Sequence, residues 1–329
     1  MKISIRAIEK YLPKQQIKSE TLDQIAKGRI GRIEKNTGVQ FRHHISGQES
    51  VCSMGAAVLQ SALSKAKMSV SEIDLLIFSG ASFDYPTPHN SVIIKSKIAD
   101  DKINFPCLDV DSTCLSFLNA LDIAHVYLAA RRYKRIAIVC SEVSSKLLTP
   151  DDEKVFGLFG DAAVAIILES TEKGGYTPQY ANFVNYPSGA MLANLPIGGV
   201  MNRGITSDPT DTGYYFKMDG KSLIRLTIKH LDSFVKNIEE NVRHKIDEFD
   251  RIIPHQTSKF GSEYFINHFS LNPEKVIETL AMYGNCISAS IPLGLEHFYN
   301  SHQHIENKNI LLIGSGAGLS LGTLVLQFD

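Results

Sequence analysis

The strongest constraint on the fold of this chain is that it repeats itself. "SEIDLLIFSGAS" (71–82) resembles "DEFDRIIPHQTS" (247–258), with Asp74 and Asp250 in register at an offset of 250 − 74 = 176. "YKRIAIVCSE" (133–142) resembles "NKNILLIGSG" (307–316), with Ile136 and Ile310 in register at 310 − 136 = 174. Two matches in order at nearly equal offsets indicate an internal duplication, with halves 1–170 and 171–329. Each segment is short, apolar along its length and runs into turn residues, as does "AVAIILES" (163–170). Longer helical stretches separate them. The pattern is α/β, with strands covered on both faces. Sites in such sheets form at the carboxyl ends of strands, so the loops after these segments are the place to search.

Totals narrow the function. With 329 residues, 43% of them hydrophobic, the chain can bury a large core. A net charge of −1 argues against nucleic acid or a membrane surface as the main partner. No stretch approaches the roughly 20 apolar residues that span a bilayer. The start, "MKISIRAIEKYLPKQQ", lacks a secretory apolar region, which argues against export. Five cysteines, at 52, 107, 114, 140 and 286, have no metal-like spacing and fit reduced thiols in a cytoplasmic protein.

Three polar residues stand at strand ends. Cys114 lies in "DSTCLSFLNA", after the extended run "INFPCLDVD" and before a helix read over 115–132. Asp111, Ser112 or Thr113 can cap that helix, and Arg131 and Arg132 complement its far end. In a first helical turn, free backbone N–H groups favour a thiolate; a buried small hydrophobe is the other reading of such a cysteine. His255 opens the loop after "DRIIP", and Asn285 sits in a Gly-Asn turn in "YGNCISASIPLGLEHF". Either can be purely structural. The offset of 285 − 114 = 171 sets Asn285 and Cys286 opposite Cys114. The glycine-rich "IGSGAGLSLG" (313–322) has no P-loop lysine and reads as a tight hairpin bringing N–H groups close to a site. Asp161, before a buried strand, reads as an acceptor for loop amides.

Together, "DVDSTCLSF", "FGDAAVAIIL", "IIPHQTS", "YGNCISASIPLGL" and "GSGAGLSLGTLVLQF", in this order, resemble the β-ketoacyl-acyl carrier protein synthase III family, condensing enzymes of the thiolase fold. The resemblance spans the chain and implies two duplicated halves in αβαβα layers. It places the nucleophile at Cys114, with His255 and Asn285 beside it, and an oxyanion hole of the Cys114 and Ala317 backbone N–H groups. A thiolate suits taking an acyl group from one thioester and releasing it later. The implied reaction is a Claisen condensation of that acyl group with a malonyl-type or β-ketoacyl thioester, without metal or other cofactor. Acyl carrier protein or CoA would carry the substrates, and a homodimer is expected, its 80–95 region completing the partner's pocket. Two alternatives are an acyltransferase of the same fold acting on an oxygen or nitrogen, and a non-catalytic partner subunit.

The chain departs from the family pattern at binding positions. Where relatives primed by acetyl-CoA clamp adenine between tryptophan and arginine, this chain has Arg32 and Glu153, with Asn36 at a second basic position; it has no tryptophan. Glu153 would repel CoA phosphates. Arg225 keeps a basic residue expected for docking a carrier protein, whereas Phe260, Asn267 and His268 replace basic ones. Lys217, Lys221 and Lys229 offer an alternative docking surface alongside Arg225. Thr87 aligns where a phenylalanine limits the acyl pocket in short-chain enzymes. These changes suggest specialised lipid or polyketide synthesis.

Overall fold

The computed structural model describes residues 2–202, 212–301 and 305–329. Nine strands form the main sheet: β1 Lys2–Tyr11, β2 Leu75–Ser79, β3 Cys107–Val110, β4 Arg135–Glu142, β5 Ala162–Thr171, β6 Tyr176–Asn185, β7 Arg251–Pro254, β8 Asn309–Gly316 and β9 Ser320–Phe328. Five helices frame the site: α1 Val51–Ala66, α2 Ser116–Ala129, α3 Gly220–Val242, α4 Lys259–His268 and α5 Ser290–Ser301. The strand order is β7-β8-β9-β6-β1-β5-β4-β2-β3.

β1 and β6 pair only at Ile3 and Tyr176, so the sheet consists of two blocks joined at one point. In one block β2 runs parallel to β3 and β4, followed by antiparallel β5 and β1. In the other, β7 runs parallel to β8, followed by antiparallel β9 and β6. Where β3 would have its counterpart, Val276 bridges Ile252 in parallel. The matching aspartates do matching work. Asp74 accepts the Arg135 N–H at 2.7 Å and Asp250 accepts the Asn309 N–H at 2.9 Å, each tying one parallel strand to the start of the next.

Alternating residues of the central strands enter different cores. On β4, Ile136, Ile138 and Cys140 face the core built on α2 and α5, while Ala137 and Val139 face α1. On β8, Ile310 and Leu312 face the α2–α5 core, and Leu311 and Ile313 join α3. Each strand face therefore meets a helix layer, which is why these strands read as unbroken apolar runs. α2 and α5 form the shared middle layer, with buried residues such as Leu118, Leu121, Leu295 and Phe298.

The helix after Cys114 differs from the sequence reading at both ends. It begins at Ser116, after a turn of 3-10 helix at Thr113–Leu115, so Cys114 lies ahead of the α-helix and not in its first turn. Asp111, Ser112 and Thr113 do not cap it; Asp111 instead accepts the Thr113 N–H at 2.9 Å. Arg131 and Arg132 lie beyond its last residue, Ala129. Arg131 takes φ 53°, and Arg132 folds over the rings of Tyr127 and Tyr133. Among the described residues no helix is long and apolar enough to cross a membrane.

Candidate active site

The β3–α2 connection holds Cys114 in a strained, heavily hydrogen-bonded turn. Thr113 has φ 52°, uncommon for a residue with a branched side chain. Ser116 Oγ accepts the Ser112 N–H at 2.8 Å and donates to the Thr113 carbonyl at 2.7 Å. The second half builds the same turn before α5. Ile287 has φ 49°, Asn285 Oδ1 accepts the Ile287 N–H at 2.9 Å, and Ser290 Oγ accepts the Cys286 N–H at 3.0 Å. Asp111 thus matches Asn285, and Ser116 matches Ser290, at 290 − 116 = 174. This corrects the offset of 171: the counterpart of Cys114 is Ser288, and that of Asn285 is Asp111. The spacing between repeats is constant through this loop because the two turns are built from the same hydrogen bonds.

Cys114, His255, Asn285 and Ala317 line one cavity of about 840 Å³. Cys114 is partly open to it and otherwise enclosed. Burial pushes the thiol up to about 12, against the pull of the Ala317 and Cys114 backbone N–H groups that bond to the sulfur. The N–H groups do favour the thiolate, as the turn suggests. Enclosure outweighs the N–H groups, and the free thiol stays protonated. His255 follows β7 directly, its N–H bonded to the Ile313 carbonyl at 2.8 Å, and burial pulls its imidazole down to about 4. Its Nδ1 is buried with no partner among the described residues. Asn285 is pinned by the Leu158 carbonyl and the Gly160 N–H at 2.9 and 3.1 Å. Because its Oδ1 already accepts from Ile287, its amide nitrogen is left as the group to offer.

Close packing explains the glycine-rich segment. A Cβ on Gly314 would lie 3.0 Å from His255 Cβ, and one on Gly316 would lie 3.0 Å from Thr113 Oγ1. The hairpin from β8 to β9 then turns through Ala317 and Gly318, carrying the Ala317 N–H to the sulfur. Asp161 accepts the N–H groups of Ile45, Ser144 and Ser145, as the sequence suggests.

Sequence reasoning missed Glu142. This carboxyl at the end of β4 is fully buried and accepts from Ala81 N–H at 3.0 Å, Ser82 N–H at 3.1 Å, Ser82 Oγ at 2.6 Å and Ser288 Oγ. Burial raises its pKa against those four donors. The one signal available was the offset of 174, which sets Gly316 opposite Glu142 and Ser288 opposite Cys114.

The proposed binding residues scatter. Thr87 is exposed and outside the cavity of its own chain. Lys221 lines the cavity, while Lys217, Arg225 and Lys229 are exposed without lining it, and Lys221, Arg225 and Lys229 share one face of α3. Arg32 and Glu153 do not line it either; they pair with each other at 2.9 Å. Asn36 and Phe260 line the cavity, Asn267 is exposed, and His268 bonds Asp232 at 2.5 Å.

Two strand blocks sharing a double helix layer, with a site where both halves present their strand ends, are the architecture of a thiolase-fold enzyme. The model for 3-oxoacyl-[acyl-carrier-protein] synthase III matches residues 108–183, and that for the family's C-terminal part matches residues 240–328. A beta-ketoacyl-[acyl-carrier-protein] synthase III from Neisseria gonorrhoeae is 28% identical over 318 residues, covering 97% of each chain. The crystal structure of 3-oxoacyl-[acyl-carrier-protein] synthase III from Aquifex aeolicus is similar with a TM-score of 0.87, 22% identity and 99% of each chain covered. A structure of Xanthomonas campestris OleA has a TM-score of 0.86 at 19% identity, covering 99% of this chain and 97% of that one. The chain belongs to the 3-oxoacyl-[acyl-carrier-protein] synthase III family of condensing enzymes.

Proposed function

We propose that Cys114 carries an acyl group taken from a thioester and passes it to a carbon nucleophile, with His255 and Asn285 stabilising that nucleophile. The observation that carries this reading is the shared chamber, in which the Ala317 N–H reaches the Cys114 sulfur beside a buried histidine and a pinned carboxamide. In the first step the sulfur attacks the donor carbonyl. A Cys114 S–C bond forms, the donor C–S bond breaks, and the thiol proton leaves with the departing thiol. The Cys114 and Ala317 N–H groups hold the oxyanion of that step, a role supported by their bonds to the sulfur.

In the second step a malonyl-type thioester loses carbon dioxide, and the electron pair of the broken bond becomes an enolate. A neutral imidazole has one N–H to donate, and the Asn285 amide supplies another donor to the same oxygen. The enolate carbon attacks the acyl carbonyl, the S–C bond to Cys114 breaks, and the thiolate regains a proton from water. A β-ketoacyl thioester is the other acceptor of this class. Acyl transfer to oxygen or nitrogen is less well supported, because it leaves the Asn285 donor without a task.

The acyl donor rides on a carrier protein or CoA. The basic face of α3, Lys221, Arg225 and Lys229 with Lys217 nearby, supports the former, and the Arg32–Glu153 pair is no platform for adenine. Exposed Phe83 and Tyr85 beside Thr87 support a second copy of the chain covering that loop. A role in specialised lipid or polyketide synthesis follows from these departures. The test is intact mass after incubation with a panel of acyl-CoAs and acyl-carrier proteins. A single adduct absent from Cys114→Ala is expected, and Asn285→Ala should still load while condensing about 100- to 1,000-fold more slowly. No adduct from any donor would overturn the mechanism at its first step.

A further inference from the structure

The chamber is far larger than a small starter group needs. Its roughly 840 Å³ lies toward the upper end of the range of about 300–1,000 Å³ usual for small-molecule sites. Part of its lining comes from α3 and α4, which face the cavity with several residues each. The lining there includes Thr227, Ile228, Leu231 and Phe234 of α3, Phe265 of α4, and Val276, with Lys221 the charged residue that α3 adds near its start.

The two helices account for the space. Leu223, Ile224, Thr227 and Ile228 look toward the cavity, yet no residue of α3 before Leu231 is fully buried, and on α4 only Ser262 is. Apolar helix faces packed on each other would be buried and close-packed. Here they look into common space instead. A void of this kind is costly to keep open, because its lining loses contacts on one side. A bound hydrocarbon removes that cost.

We infer that the arm between α3 and α4 receives the alkyl tail of a long straight-chain acyl group whose thioester end lies at Cys114. The inference rests on the thioester reading above and names its substrate class.

Two measurements test it, one of them independent of chemistry. In the first, Cys114→Ala protein is titrated with a fluorescent long-chain fatty acid, displaced by unlabelled acids from butyrate to palmitate. Affinity should rise with length, by up to about fourfold per methylene while the arm fills. Thr227→Phe and Ile228→Phe, each checked for a native thermal transition, should lower palmitate affinity at least tenfold. In the second, intact-mass loading of the same substitutions in the active chain should shift the palmitoyl-to-butyryl ratio toward butyryl by at least tenfold. Affinity independent of chain length, or unaffected by both substitutions, overturns the arm. If the length dependence and its loss both appear but no acyl group loads on Cys114, the arm stands and the thioester reading falls.

Discussion

A thiol near 12 and an imidazole near 4 rest uncharged together. An ion pair of the cysteine-protease kind would need both shifts reversed, and enclosure of both groups opposes that. On the proposed mechanism the sulfur would become reactive when a carbonyl reaches it and the two N–H groups share the developing charge. Alkylation of the free enzyme should report this directly. The rate at Cys114 with iodoacetamide, read by mass against Cys114→Ala, should climb about tenfold per pH unit from 7 to 9, following the thiolate fraction. A plateau near neutrality would place a thiolate–imidazolium pair in the resting site. The residue types were legible in the sequence, since strand ends and turn residues flank all three. Their protonation was not, because it depends on how fully the two halves enclose them.

The two turns that start α2 and α5 share one design, in which a serine four residues on closes the loop. Ser116 and Ser290 are both buried, so replacing either leaves a backbone N–H without its acceptor. Ser116→Ala and Ser290→Ala should each cost about 1–3 kcal/mol in urea unfolding. Ser116→Ala should cost at least as much, since Ser116 also donates to the Thr113 carbonyl. Equal stability to wild type in either variant would show the turn held by other means. At this scale β4 and β8 were legible to the residue, because both faces of those strands are apolar and the pattern cannot slip unnoticed. The pairing of Cys114 with Ser288 was not, because the chemistry diverged while the φ angles and hydrogen bonds stayed. The α3–α4 arm was hidden for another reason: an amphipathic face looks the same whether it meets protein or space.

Across the whole molecule, enclosure of neutral imidazoles sets a pH dependence. Burial holds His255 near 4, His125 near 3 and His44 below its ordinary value. All three titrate near 6.5 when unfolded. At these three sites the unfolded chain binds more protons below that pH than the folded one, so their contribution is complete above about 6.5 and is lost as pH falls toward 4, with buried Glu142, raised above its ordinary value, opposing it in part. Glu169, whose burial is outweighed by bonds from Arg6 and Arg135, titrates below the usual carboxylate range and acts only lower still. Thermal unfolding should therefore show a midpoint that falls between pH 6.5 and 4.5, with a loss on the order of several kcal/mol. A flat profile there would mean these imidazoles charge without cost. The duplication has a separate consequence for stoichiometry. Ser288, where the second half would carry its own nucleophile, is sealed beneath Glu142 and Cys140. If Cys114 carries the acyl group as proposed, the equivalent position in the other half is a strut, so a saturated chain would bear a single acyl group and a pair of chains would work with two chambers and not four.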